Sequence, residues 1–223
     1  MSAPETVGFA HRTLAEIASH LPGATAVFRR HRLDFCCGGQ VPLGEAAAAK
    51  GLDVAGLEAE LDTMIARGSP GQGALDTEAL IALIETRFHA GHRRDLPELL
   101  RLAKRVEAVH GAHPLAPRGI AALLQRLADE LEAHMQKEEQ VLFPLMRAGG
   151  HPMIGSPIGV MLREHGEAEE SLRRLEGLTH GFGLPAEACP TWRALYVGAR
   201  RLTEDLKEHI DLENNVLFSR FSG

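Results

Sequence analysis

After residue 75 the chain holds four long stretches, about 77–109, 117–143, 157–178 and 187–217, in which apolar residues recur every three or four positions. That spacing keeps one face of an α-helix apolar and predicts four long amphipathic helices. The second stretch carries the stripe Ile120, Leu124, Leu127, Leu131, His134, Glu138, Val141. The fourth carries Trp192, Leu195, Ala199, Leu202, Leu206, His209, Glu213, Val216. The third shows Ile158, Met161, His165, Ala168, Leu172 and Leu175. In the first, Phe88, His89 and His92 compete for the inward face, and Glu85 and Arg87 interrupt the stripe. Asp76 or Thr77 is the expected cap of the first helix. Pro97 predicts a kink or break within it, Pro117 opens the second helix and Pro144 closes it. Four helices with short connections predict an all-α, up-down-up-down four-helix bundle.

Ahead of the bundle the pattern is shorter. Leu14 to Leu21, a segment from Pro22 towards His31, Leu43–Lys50 and Val54–Arg67 read as short helices, with Asp53 a candidate N-cap of the last. Asp34-Phe-Cys36-Cys37-Gly-Gly39 reads as a tight turn. The clearest linker is Gly68-Ser-Pro-Gly-Gln-Gly73. The expected organisation is therefore a small helical domain over 1–67, a linker over 68–75 and the bundle over 76–223.

The polar residues on the apolar stripes change the picture. His134-Met-Gln-Lys-Glu138-Glu-Gln-Val-Leu-Phe-Pro144 and His209-Ile-Asp-Leu-Glu213-Asn-Asn-Val-Leu-Phe-Ser219 are near-copies. In each, a histidine and a glutamate stand one turn apart on one helix face. Each copy also has an upstream histidine at nearly equal distance: His89 lies 45 residues before His134, and His165 lies 44 before His209. His92 would give 42, so the repeat selects His89 over His92. A carboxylate buried on a core stripe costs several kcal/mol without a partner, roughly on the scale of an uncompensated ion. Two such glutamates, each beside a histidine, call for a cation. Four imidazoles and two carboxylates can hold two metal ions, and a donor set without thiolate suits iron or manganese and tolerates zinc. The zinc-protease motif His-Glu-x-x-His is absent.

Other candidates are weaker. Glu130, one turn before His134, and Glu164, next to His165, could act as a supporting base or proton relay. Glu139 and Asn214 are expected at the surface, as are His110, His113, His151 and His180 at helix ends or in loops. Cys36 and Cys37 form an adjacent thiol pair that cannot bridge without distortion. They could capture nitric oxide, iron or a partner thiol. Cys189 is expected to be inert.

Composition narrows the class. The net charge of −6 argues against nucleic-acid binding. Twelve histidines are more than a chain of 223 residues usually carries, which makes metal chemistry worth testing. Three cysteines do not make a disulfide framework, and no apolar run reaches membrane-spanning length. The first residues lack the basic and apolar regions of a secretory signal. The expected location is the cytoplasm.

Together, the double-cysteine motif, the two His-x-x-x-Glu copies and Glu164-His165 give a specific resemblance. The bundle resembles the hemerythrin-like superfamily. Beyond its first ten residues, the chain resembles di-iron proteins that repair iron–sulfur clusters. The resemblance implies a carboxylate-bridged pair of non-haem irons. It makes His89, His134, His165 and His209 terminal ligands and Glu138 and Glu213 bridges. It further implies iron donation to iron–sulfur proteins damaged by nitrosative or oxidative stress, with nitric oxide or oxygen as small ligands and a homodimer as one permitted assembly. Two alternatives remain open: a di-iron nitric oxide reductase, and an oxygen-binding hemerythrin-like sensor. Oxygen carriers lack the double-cysteine domain.

Overall fold

A computed structural model of the chain describes residues 8–21, 24–33, 35, 39–66 and 75–221. The fold is all-α. Among the described residues the only β-type contact is an isolated bridge between Thr13 and Pro42. The molecule divides into two compact units. One comprises residues 1–80 with 211–220; the other comprises 81–210 with 221–223. The division cuts the last long helix between Ile210 and Asp211, although that helix is continuous there.

The N-terminal part contains the helices Leu14–His20, Ala24–Arg30, Leu43–Ala48 and Val54–Ala66. Thr13 starts the first with a capping box: Thr13 Oγ1 accepts from the Glu16 N–H at 3.1 Å, and the Glu16 carboxylate accepts from the Thr13 N–H at 2.9 Å. Asp53 caps the fourth, its carboxylate accepting from the N–H groups of Ala55 and Gly56. Leu14, Ile17, Phe28, Leu43 and Leu61 are fully buried in a core of their own. Each contributes about 1.5–3 kcal/mol of burial. Asp34, Cys36, Cys37 and Gly38 lie outside the described residues, as do residues 67–74, which hold most of the expected linker.

Four long helices follow, over residues 77–110, 120–147, Gly155–Leu178 and 190–221. Asp76 caps the first by accepting from the Ala79 N–H at 2.8 Å. Glu107, near its end, accepts from the N–H groups of Gly119 and Ala121 and so caps the second helix from outside. Gly149 and Gly150, both at positive φ, close the second helix by returning their N–H groups to the Met146 and Leu145 carbonyls.

Two expectations about proline fail. The first helix runs unbroken over Ala90–His110 through Pro97. Pro97 cannot donate to the Arg93 carbonyl, but both residues face solvent, where water serves that carbonyl. The second helix continues past Pro144 to Arg147. Its turn immediately before Pro144 is wider than an α turn, which relieves the clash between the proline ring and the preceding carbonyl.

That wide turn is one of three. π-Helix occupies Ile84–His89, Glu138–Leu142 and Glu213–Leu217. In each, the N–H that closes the turn donates five residues back: Ala90 to Glu85, Phe143 to Glu138, and Phe218 to Glu213. One additional residue in a turn rotates everything after it by about 100°. The apolar stripe therefore slips. Val141, expected inward, is 52% exposed, and Leu142 is buried in its place. Val216 is only half-buried, and Leu217 is buried instead. The same slip lets the adjacent Phe88 and His89 both point inward, with His92 one turn on.

Candidate metal centre

All three π turns begin or end on a candidate ligand: His89, Glu138 and Glu213. π turns inside α-helices recur at functional sites because they re-aim side chains that a regular helix would misplace. The third long helix has none and contributes His165 alone.

Six side chains from the four helices converge in two groups. His89, Glu138, His209 and Glu213 form one; His134, Glu138, His165 and Glu213 form the other. Within each group one donor atom per residue lies within 4.8 Å of all the others, and every member is buried. Glu138 and Glu213 belong to both groups. Glu138 Oε2 stands 3.4 Å from the Nε2 atoms of both His89 and His134. The imidazoles pair nitrogen to nitrogen: His89 Nε2 is 3.3 Å from His209 Nε2, and His134 Nε2 is 3.1 Å from His165 Nε2. Metal–imidazole bonds of about 2.1 Å would separate neighbouring ligand nitrogens on one ion by roughly 3.0 to 3.4 Å. The residues therefore fit a metal ion in each group.

Outside the ligand set, two carboxylates hold the far nitrogen of a histidine. Glu139 Oε1 lies 2.7 Å from His89 Nδ1, and Glu164 Oε2 lies 3.0 Å from His134 Nδ1. Such a bond sets the tautomer and leaves Nε2 free for a metal. Arg93 donates to both oxygens of Glu139 and also to both oxygens of Glu132, which accepts further from Gln136. Lys137 donates to Glu164. Burial pushes the Glu139 carboxyl up, but hydrogen bonds from Arg93 and His89 outweigh it and leave Glu139 below the ordinary range. Glu164 is likewise lowered: burial raises it, and the bonds from Lys137 and His134 prevail. Both carboxylates are thus held charged beside the imidazoles they support.

A pocket of about 170 Å³ opens beside the centre. His134, His165 and His209 line it, together with Glu130, Lys137 and Glu164.

Residues 82–221 match the hemerythrin HHE cation binding domain, and residues 10–64 match ScdA_N, a domain of unknown function (DUF542). A probable iron-sulfur cluster repair protein of Haemophilus influenzae is 43% identical over 96% of this chain and 98% of its own length. The iron-sulfur cluster repair protein YtfE of Edwardsiella ictaluri is 46% identical, over 95% of this chain and 97% of its own. YtfE of Escherichia coli O157:H7 is 42% identical, over 96% and 98%. The chain belongs to the hemerythrin-like iron–sulfur cluster repair family.

The structure brings His89, His134, Glu138, His165, His209 and Glu213 together. His92 is buried but lies in neither group; its ring is 5.4 Å from that of His209. Glu164 contacts a candidate ligand, whereas Glu130 lines the pocket without a contact of that kind among the described bonds. Glu139, expected at the surface, is half-buried and bonded to His89. Glu139 and His89 stand on different helices, 50 residues apart, so no i, i+4 pattern could have signalled their contact. His110 is also no free surface histidine: its Nε2 is 3.1 Å from Cys189 Sγ, and its ring packs on the buried Trp192. Among the described residues, no helix is long and apolar enough to cross a membrane.

Proposed function

We propose that the protein holds two non-haem irons and repairs damaged iron–sulfur clusters by donating iron. The observation that carries this reading is the sharing of Glu138 and Glu213 between two otherwise separate histidine pairs. His89 and His209 would be terminal ligands of one iron, His134 and His165 of the other, with the two glutamates bridging. The pair would supply redox-active ions bound through a ligand set incomplete enough to release one. The chain's own residues do the rest. Glu139 and Glu164 orient His89 and His134, and Glu130 and Lys137 flank the pocket. The relatives are named as iron–sulfur cluster repair proteins, which supports the same activity here. The reading extends to cytoplasmic work under nitrosative or oxidative stress, and to a separate role for the domain over 1–67. There the Cys36–Cys37 pair would capture iron or a nitrosyl group, since thiolate is the species that does so.

A second reading is nitric oxide reduction at the same centre, with Glu164 or Glu130 as proton relay. It is favoured by the pocket, which reaches His134 and His165. Metal analysis and Mössbauer spectroscopy on protein purified without oxygen test the two-iron centre. Two coupled irons per chain are expected, and one zinc at full occupancy with no iron would overturn it. Recovery of an aconitase-type cluster in nitric-oxide-treated extract, with nitrous oxide measured in parallel, separates the two activities.

A further inference from the structure

We infer that the two metal positions are unequal, and that Arg93 is the positioning residue that makes them so. On this inference the ion on His134 and His165 is the exchangeable one, and the ion on His89 and His209 is retained. This deepens the two-iron reading and rests on it.

The four inner imidazoles are near-symmetric, but their outer supports are not. On one side His89 Nδ1 meets Glu139 at 2.7 Å. Arg93 grips that carboxylate with two nitrogens, at 2.7 and 3.1 Å. The same guanidinium grips Glu132 at 2.8 and 3.2 Å, and Gln136 donates to Glu132 at 2.8 Å. The planar fork of arginine fixes direction as well as charge. Four bonds from this first-helix guanidinium fix two second-helix carboxylates, one of them the support of His89, so His89 has little freedom to swing away.

On the other side the contact is longer and the anchor weaker. His134 Nδ1 meets Glu164 at 3.0 Å, and Glu164 is held from beyond by Lys137. The Lys137 side chain is 48% exposed, and an ammonium on a flexible stem imposes no direction. The pocket lies on this same side. It is lined by both imidazoles of the His134–His165 pair, by Glu164 and by Lys137, whereas from the other pair only His209 reaches it. Water or a chelating partner thus meets the weakly supported position first. A partner that takes iron from this centre would therefore receive one ion readily and the second only after the Arg93 network opens.

The test is metal release from the full chain. Protein loaded anaerobically with two ferrous ions is mixed with excess ferrous chelator, and the coloured complex is followed in time. Two phases of equal amplitude are expected. Arg93→Ala should accelerate the slow phase about 10- to 100-fold, the range typical for losing an outer partner of a metal-bound histidine. It should leave the fast phase in place. Arg93→Lys should fall between, because charge without the fork restores only part of the hold. Lys137→Ala should change the fast phase alone. Glu132→Gln, a milder change in the same network, should also accelerate the slow phase, which guards against misfolding of the alanine variant. Two ions lost in one phase from the wild type, or an Arg93 variant that speeds only the fast phase, would overturn this inference and leave the two-iron reading intact. One ion per loaded chain would overturn the two-iron reading itself and this inference with it.

Discussion

The two His-x-x-x-Glu copies are alike inside and different outside. Both put a histidine and a glutamate one turn apart, and both widen into a π turn at the glutamate. Both then bury the leucine rather than the valine of Val-Leu-Phe. Their next residues diverge. In the first copy Glu139 reaches across to His89. In the second copy the corresponding residue is Asn214, which bears no charge, and the next residue, Asn215, donates from Nδ2 to Asp211 Oδ1 at 2.7 Å. The two near-copies share the donor set and the wide turn and differ in the residue that follows the glutamate.

The sharpest way to break the comparison is at the shared carboxylates. Glu138→Ala and Glu213→Ala each remove a donor from both groups. Each is expected to reduce bound iron from two to one or fewer per chain and to abolish magnetic coupling, as measured by metal analysis and Mössbauer spectroscopy. If either variant keeps two coupled irons, the glutamates are not equivalent and do not both bridge.

Deleting Val141 tests the wide turn itself. The deletion preserves the His134–Glu138 spacing and moves Leu142 onto the position a regular helix would bury. The bundle should remain folded by circular dichroism while iron content falls by at least half. Full iron loading in a shortened helix would show that the π turn is incidental to the site.

Next in size is the choice between neighbours on the first helix. His89→Ala should lose one iron, whereas His92→Ala, which removes a buried ring outside both groups, should keep two and lower stability by about 2–3 kcal/mol as a packing defect. Loss of metal from the His92 variant alone would exchange the two roles.

Smaller effects belong to the outer shell. Glu139→Gln and Glu164→Gln each keep the shape and remove the charge that holds an imidazole, and each should weaken iron binding about 10- to 100-fold. Asn214→Asp should change it little. An equal effect at Asn214 would show that charge at this position tunes both copies alike. The smallest effect on metal, and none is expected, comes from Cys36→Ser with Cys37→Ser. That double variant should keep both irons and lose cluster recovery in the aconitase assay. Equal recovery by wild type and variant would confine the chemistry to the bundle.

The sequence by itself determined the helix class, the four long helices, the cap at Asp53, and the six residues that meet in the two groups. These follow from periodicity and repetition, which are properties of local order along one chain. The tertiary structure alone decided the rest. A heptad reading carried on to Val141 and Val216 fails because it assumes a constant 3.6-residue turn, whereas the π turns add a residue where Glu138 and Glu213 enter the core. Pairings across helices, such as Glu139 with His89 or Arg93 with Glu132, depend on how those wider turns rotate one helix against its neighbour. No spacing along the chain encodes that rotation, because it is set by packing and by side chains brought together from far apart in sequence.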